Sequence, residues 1–126
     1  MPLAPRATPV SFVLATDIDR SRGFYADVLG LPVLGEDDFA VTFDLGGGAR
    51  LRLTPLPGHK AGAHTVLGWA VRDICAAMAE LAARGVAFTI YPGFGQDDSG
   101  VWSHGDTHVC WFADPDGNVL SLTQFG

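Results

Sequence analysis

Several groups of residues in this 126-residue chain could do chemistry. His104, Asp106 and His108 alternate, and on a continuous strand they would share one face, where imidazole and carboxylate donors could hold a divalent cation. Gly105 favours a tight turn instead, which would break that alternation. Cys110 follows His108 by two residues, so a Cys/His nucleophilic pair is one reading of the segment. No cluster of cationic residues surrounds Cys110 to lower its pKa, and a packed thiol is favoured. Cys75 falls within a predicted helix, where a core position is the simpler role. Asp114 and Asp116 could act as paired carboxylates. However, Asp114-Pro-Asp-Gly117 places Pro second and Gly fourth, which is turn chemistry. Gly46-Gly-Gly48 lacks the Lys and following helix of a phosphate loop, and His59 lies in a Pro/Gly-rich linker expected to be solvated.

The elements that must position these residues repeat. Val10–Thr16 reads as a strand, and Asp17 is an N-cap candidate for a helix with Ile18, Ser21, Phe24/Tyr25, Val28 and Leu29 on its stripe. Gly30 stops it before the apolar run 31–34. Thr65–Val71, Asp73, a stripe of Ile74, Ala77/Met78 and Leu81, Gly85 and a strand over 86–90 repeat that order. The Asp-Ile pairs at 17 and 73 lie 56 residues apart. Each half then ends in a hairpin: 39–43 with 49–54, and 107–112 with 118–124. The pattern predicts an α+β fold of two βαβββ modules, about 9–56 and 64–125, within one domain. Curved mixed sheets would surround a cleft, with the helices outside. Residues 93–105 are polar and Gly-rich and read as a loop bordering that cleft.

Composition narrows the function classes. Hydrophobic residues make up 48% and charged residues 17%, which describes a globular core and not a disordered chain. The net charge of −6 and the lack of any Lys/Arg run argue against nucleic acid or an anionic membrane as partner. No apolar run approaches the ~20 residues of a spanning helix. Residues 1–9 lack the apolar core of a signal peptide, and two reduced thiols suit a cytoplasmic protein.

Two motifs carry a resemblance. The segment from Asp17 to Leu31, DIDRSRGFYADVLGL, resembles the first-helix signature of the vicinal oxygen chelate superfamily. Phe112–Leu122, FADPDGNVLSL, resembles its closing hairpin. That group includes glyoxalase I, extradiol dioxygenases, fosfomycin-modifying enzymes and bleomycin-resistance binding proteins. Its metal-dependent members take one ligand from each of four strands, and the resemblance carries those positions onto Val10, Arg52, Leu67 and Ser121. Val and Leu have no lone pair to give, Ser is a poor ligand, and Arg brings a fixed positive charge. No metal and no other cofactor is therefore expected.

Strand alternation proposes what faces the cleft. Leu51 and Leu53 should pack under a helix, which leaves Arg50 and Arg52 on the other side. The face sharing the family's ligand positions then contains Val10, Phe12, Leu14, Arg52, Thr54, Leu67, Trp69, Ser121 and Thr123, and Trp102 is a lid or stacking candidate. An ion pair with Asp44 is the structural alternative for Arg52. The expected ligand residues are Phe12, Arg52, Trp69, Trp102, His108 and Ser121, around a hydrophobic or aromatic organic molecule with an anionic or carbonyl group. The reading is a metal-independent small-molecule binding protein, acting as a homodimer in resistance or sequestration. The alternative is a glyoxalase-like lyase/isomerase or dioxygenase-type enzyme with an atypical or absent metal centre. His108 is the best general base available to it. A pure assembly module is the blandest reading.

Overall fold

A computed structural model describes residues 2–3 and 5–126. The chain divides into two compact units, Met1–Lys60 and Ala61–Gly126.

In the first unit, β1 (Val10–Ala15) leads to α1 (Ile18–Gly23), followed by a π-helical turn over Phe24–Val28. β2 (Val33–Glu36), β3 (Val41–Gly46) and β4 (Ala49–Pro55) complete a sheet of order β1-β4-β3-β2. The Asp17 side chain accepts from the Arg20 amide at 3.2 Å, so it caps α1 as its position predicts. The Leu29 amide bonds back to the Phe24 carbonyl at 3.0 Å, five residues earlier, and this widens the last turn. Tyr25 lies in that turn and is fully buried against Phe43, with ring centroids 6.0 Å apart. Gly30 follows with φ +74°, which ends the helix. β3 turns into β4 at Gly47 and Gly48, both with positive φ, as a two-residue hairpin requires.

Register divides the side chains of this sheet between two faces. Val13, Leu53 and Val41 lie side by side, and so do Leu51 and Phe43. All five are buried, on the face that α1 covers. Phe12, Arg52 and Thr42 form the adjacent row on the other face.

In the second unit, β5 (Thr65–Ala70) leads to α2 (Ile74–Ala83), then to β6 (Trp102–His104), β7 (Thr107–Ala113) and β8 (Val119–Gln124). The order is β5-β8-β7-β6, the same pattern as in the first unit. The Asp73 side chain accepts from the Ala76 amide at 3.0 Å, and Gln124 Oε1 accepts from the Ile74 amide at 2.9 Å. Together they satisfy two of the first-turn donors of α2. The β7–β8 corner is organised by buried Asp114. Its Oδ1 accepts from the Asp116 and Asn118 amides, and its Oδ2 accepts from Asn118 Nδ2. The Asp114 carboxylate is thus committed to the turn.

One predicted element differs. Residues 86–90 form no strand and make a single bridge, Phe88 to Phe112. The second strand of this unit in chain order is β6, which arises inside the segment expected to be all loop. Residues 86–90 offer only one residue in register, and the chain between them and β6 is tied to itself by side chains described below.

Gly68 shows how tightly β5 meets β8. A Cβ there would lie 2.2 Å from Ser121 Oγ and 3.2 Å from the Ser121 carbonyl oxygen. Gly68→Ala is expected to lower stability by about 1–3 kcal/mol through overpacking, with Ser121→Ala recovering most of the loss in the double variant. Urea denaturation of the four proteins in this cycle measures both effects.

Candidate functional site

The two sheet faces not covered by helices carry the residues of interest, and each belongs to its own unit. On the first, Phe12 is 63% exposed and Arg52 is half-buried beside it. Asp44 lies across from Arg50, not Arg52, and its carboxylate accepts from the Gly46 amide at 2.8 Å. The Arg52–Asp44 pair considered above does not form. The charge of Arg52 is felt weakly at Asp37, whose carboxylate is held below its usual range chiefly by the Phe39 and Ala40 amides.

In the second unit the register places Gly68, Ser121 and Trp111 in one row, and Trp102, Val109, Thr123 and Ala70 in the next. Trp69 pairs with Leu122, and Leu122 with Cys110, on the opposite, helix-facing side. The expectation that Leu67 and Trp69 share a face with Ser121 is therefore corrected. An irregularity between Thr65 and Leu67 shifts the pairing of β5, so the alternation counted from the strand's start runs one residue out. The 56-residue offset between modules carries the right parity: it equates Phe12 with Gly68 and Val13 with Trp69.

His108 is corrected in the same way. It pairs with Ser103 and Gln124, on the side of Cys110, away from Trp102 and Ser121. Its Nδ1 is hydrogen-bonded to Ser103 Oγ at 2.6 Å. Both line a pocket of about 530 Å³ at the start of α2, together with Asp73, Cys75, Asp97 and Gln124. His104 pairs with Thr107 across a turn at Gly105 and Asp106, so His104 and His108 occupy opposite faces and the alternating set is broken. Among the described residues, no group of three or more His, Cys, Asp or Glu side chains could hold a metal ion. Cys110 is fully buried, and desolvation pushes its thiol up to about 11, far from nucleophilic.

The sequence reading missed an aromatic cluster on the open face of the second unit. Trp111 meets Tyr91 at 5.8 Å and 78°, and Phe94 at 5.5 Å and 83°. Tyr91 and Phe94 are 6.0 Å apart at 66°, and Phe94 also touches Trp102 at 6.3 Å. Trp102 in turn stacks on His104. Tyr91, Phe94 and Trp111 line a pocket of about 340 Å³ with Ala63, His64 and Thr65.

Two polar residues hold the loop that brings these rings together. Gln96 Oε1 accepts from the Tyr91 amide at 2.7 Å, while its Nε2 donates to the Thr89 and Gly100 carbonyls at 2.9 and 2.7 Å. Asp97 Oδ1 accepts from the Ser99 hydroxyl and from the Ser99 and Val101 amides. The Ser99 hydroxyl and the Val101 amide do most to hold the Asp97 carboxyl below the usual carboxylate range. Polar residues that read as loop composition are thus the clasp of a defined structure.

A family model described as the Glyoxalase/Bleomycin resistance protein/Dioxygenase superfamily matches residues 9–122. The chain belongs to this superfamily. Within the superfamily its fold is shared by TnmS3, an antibiotic binding protein from Streptomyces sp. CB03234, with a TM-score of 0.75 at 24% identity, covering 98% of this chain and 99% of that one. A glyoxalase family protein from Bacillus anthracis has a TM-score of 0.76 at 16% identity, with both chains fully covered. A lactoylglutathione lyase from Agrobacterium tumefaciens has 0.66 at 19%, covering 95% and 94%. No curated protein sequence matches the chain. Superfamily membership raises the question of the metal centre, and the donors on these faces do not fit one. Val10 and Arg52 offer no lone pair on the first face. The residues of β5 that share the face of Ser121 are Thr65, Gly68 and Ala70, and the Thr65 hydroxyl is as poor a ligand as that of Ser121.

Gln96→Ala is expected to cost about 1–3 kcal/mol and to weaken the near-ultraviolet circular dichroism of the aromatic cluster. Because the Asp97 pKa is depressed in the fold, its contribution is present above the unfolded value and is lost as pH falls through the folded one. An acid titration of the same dichroism should therefore show a transition below about pH 4 that Asp97→Asn abolishes.

Proposed function

We propose that this superfamily member is a metal-independent binding protein for a hydrophobic or aromatic organic molecule, used in resistance or sequestration. The observation that carries the proposal is the chemistry of the uncovered sheet faces. Where metal-dependent relatives need lone-pair donors, this chain has Val10, Arg52, small residues on β5, and Ser121. Aromatic surface and one half-buried guanidinium take their place. Phe12 and Arg52 on one face, and Ser121 and Trp102 on the other, are the proposed ligand residues. Trp69 and His108 are left out because the register turns them to the helix side. Arg52 can form a charge-assisted, bidentate bond to a carboxylate or polarise a carbonyl.

On the first face no imidazole stands in the rows around Arg52, and the Asp44 carboxylate is engaged by the Gly46 amide, which favours binding over turnover there. The antibiotic-binding function of TnmS3, on the same fold, supports this reading. We further propose a single cytoplasmic domain that works as a homodimer. No helix among the described residues is long and apolar enough to cross a membrane.

A thermal-shift panel of aromatic carboxylic acids, with each hit also assayed for chemical conversion, tests the proposal. Arg52→Ala is expected to weaken acidic hits by about 1.5–3 kcal/mol without altering the fold. Unchanged affinity in the variant would remove Arg52 from the site, and conversion of a hit at substoichiometric protein would replace binding by catalysis.

A further inference from the structure

We infer that the aromatic pocket of the second unit is a subsite for an organic cation, a methylated or quaternary ammonium group. The inference rests on the reading of the chain as a small-molecule binder and names the chemistry of one part of it.

Ring geometry is the first observation. Tyr91, Phe94 and Trp111 meet pairwise at 66°, 78° and 83°, so three rings stand nearly perpendicular to one another. A flat aromatic ligand stacks on one ring plane and gains little from a corner. A compact, near-spherical cation can touch several ring faces at once, and each face presents the negative side of its quadrupole. The pocket these rings line, about 340 Å³, can contain a trimethylammonium head and a short stem. Its remaining lining, Ala63, His64 and Thr65, holds no Lys or Arg.

Charge is the second observation and is independent of the rings. The −6 of the chain is unevenly divided. Residues 1–60 carry six Lys/Arg against seven Asp/Glu, for −1, whereas residues 61–126 carry two Arg against seven Asp/Glu, for −5. The pocket lies in the acidic unit, and neither Arg72 nor Arg84 lines it. No carboxylate lines it either, so it pairs poorly with a strongly hydrated ammonium such as that of lysine. Methylation removes the N–H donors and most of that hydration while keeping the charge. The surrounding field then attracts the cation and the rings provide the contact.

The loop clasp keeps the corner formed before any ligand arrives. Phe94, 49% exposed, donates its amide to the Tyr91 carbonyl at 3.1 Å, and Gln96 clasps the loop around it through the Tyr91 amide and the Gly100 carbonyl. A site built in advance spares the ligand the cost of ordering it.

The test uses choline and its uncharged isostere 3,3-dimethyl-1-butanol, added to the full chain labelled with 15N at its indoles. The three indole signals, from Trp69, Trp102 and Trp111, are assigned by Trp→Phe variants. Choline is expected to shift the Trp111 signal saturably and to leave Trp69 unmoved, and the isostere should bind roughly tenfold more weakly. Raising salt should weaken choline and not the alcohol. Phe94→Leu, which keeps apolar bulk and removes one ring, should lower choline affinity several-fold with an unchanged melting temperature. Equal or tighter binding of the isostere would overturn the inference, as would undiminished choline binding in Phe94→Leu or no saturable shift at Trp111. Arg52-dependent binding of aromatic acids is read in the other unit. It survives if the cation subsite fails, and if it fails alone the subsite stands.

Discussion

In each unit the first strand lies parallel to the last, β1 beside β4 and β5 beside β8, and this pairing decides which side chains can meet a ligand. A strand shows alternate residues to opposite faces, so a one-residue change of register would exchange every side chain between helix and open surface. In the first unit the register is held by Val13, Leu51, Leu53, Val41 and Phe43, all buried under α1. Arg52 is consequently left among Phe12 and Thr42. In the second, Leu120, Leu122, Cys110 and Phe112 play that part, and Ser121 and Trp111 are turned the other way. Gly68 completes the arrangement because only a residue without a side chain fits against Ser121.

The same scaffold explains how residues on the uncovered faces can change without loss of the fold. Nothing in either core depends on ligand atoms: helix caps, glycine turns and apolar rows hold the sheets. Residues on the uncovered faces are thereby free to vary with function. Here they include Phe12 with two guanidinia, Arg50 and Arg52, and the Asp44 carboxylate in the first unit, and aromatic rings within an acidic surround in the second.

How much of this could be read from the sequence depended on whether a residue's role was local. Asp17 and Asp73 cap helices, Gly30 and Gly85 adopt positive φ at their ends, and Asp114–Gly117 forms a turn. Each of these follows from residue type and its immediate neighbours. The π turn at Phe24–Val28 keeps the predicted stripe, with Ser21 and Tyr25 buried, although the helix changes its winding. Face assignment in β5 went wrong because the irregularity near Leu67 depends on its partner β8 and leaves no local mark. The aromatic corner was missed for a related reason. Tyr91 and Phe94 follow no period, and they are brought to Trp111 by the Phe88–Phe112 bridge, the Thr89 amide on the Trp111 carbonyl, and the long reach of Gln96 to the backbone at 89, 91 and 100. The grouping of Arg52 with Phe12 was legible, since plain alternation with two buried leucines suffices.

The central claim is that this chain binds an organic molecule through aromatic and guanidinium chemistry with no metal in the site. Elemental analysis of untagged protein, combined with ligand affinity measured before and after exhaustive chelation, tests it most directly. The expected result is far less than one equivalent of any transition metal and an affinity that chelation does not change. One equivalent of bound metal, or an affinity lost on chelation and restored by adding the ion back, would contradict it.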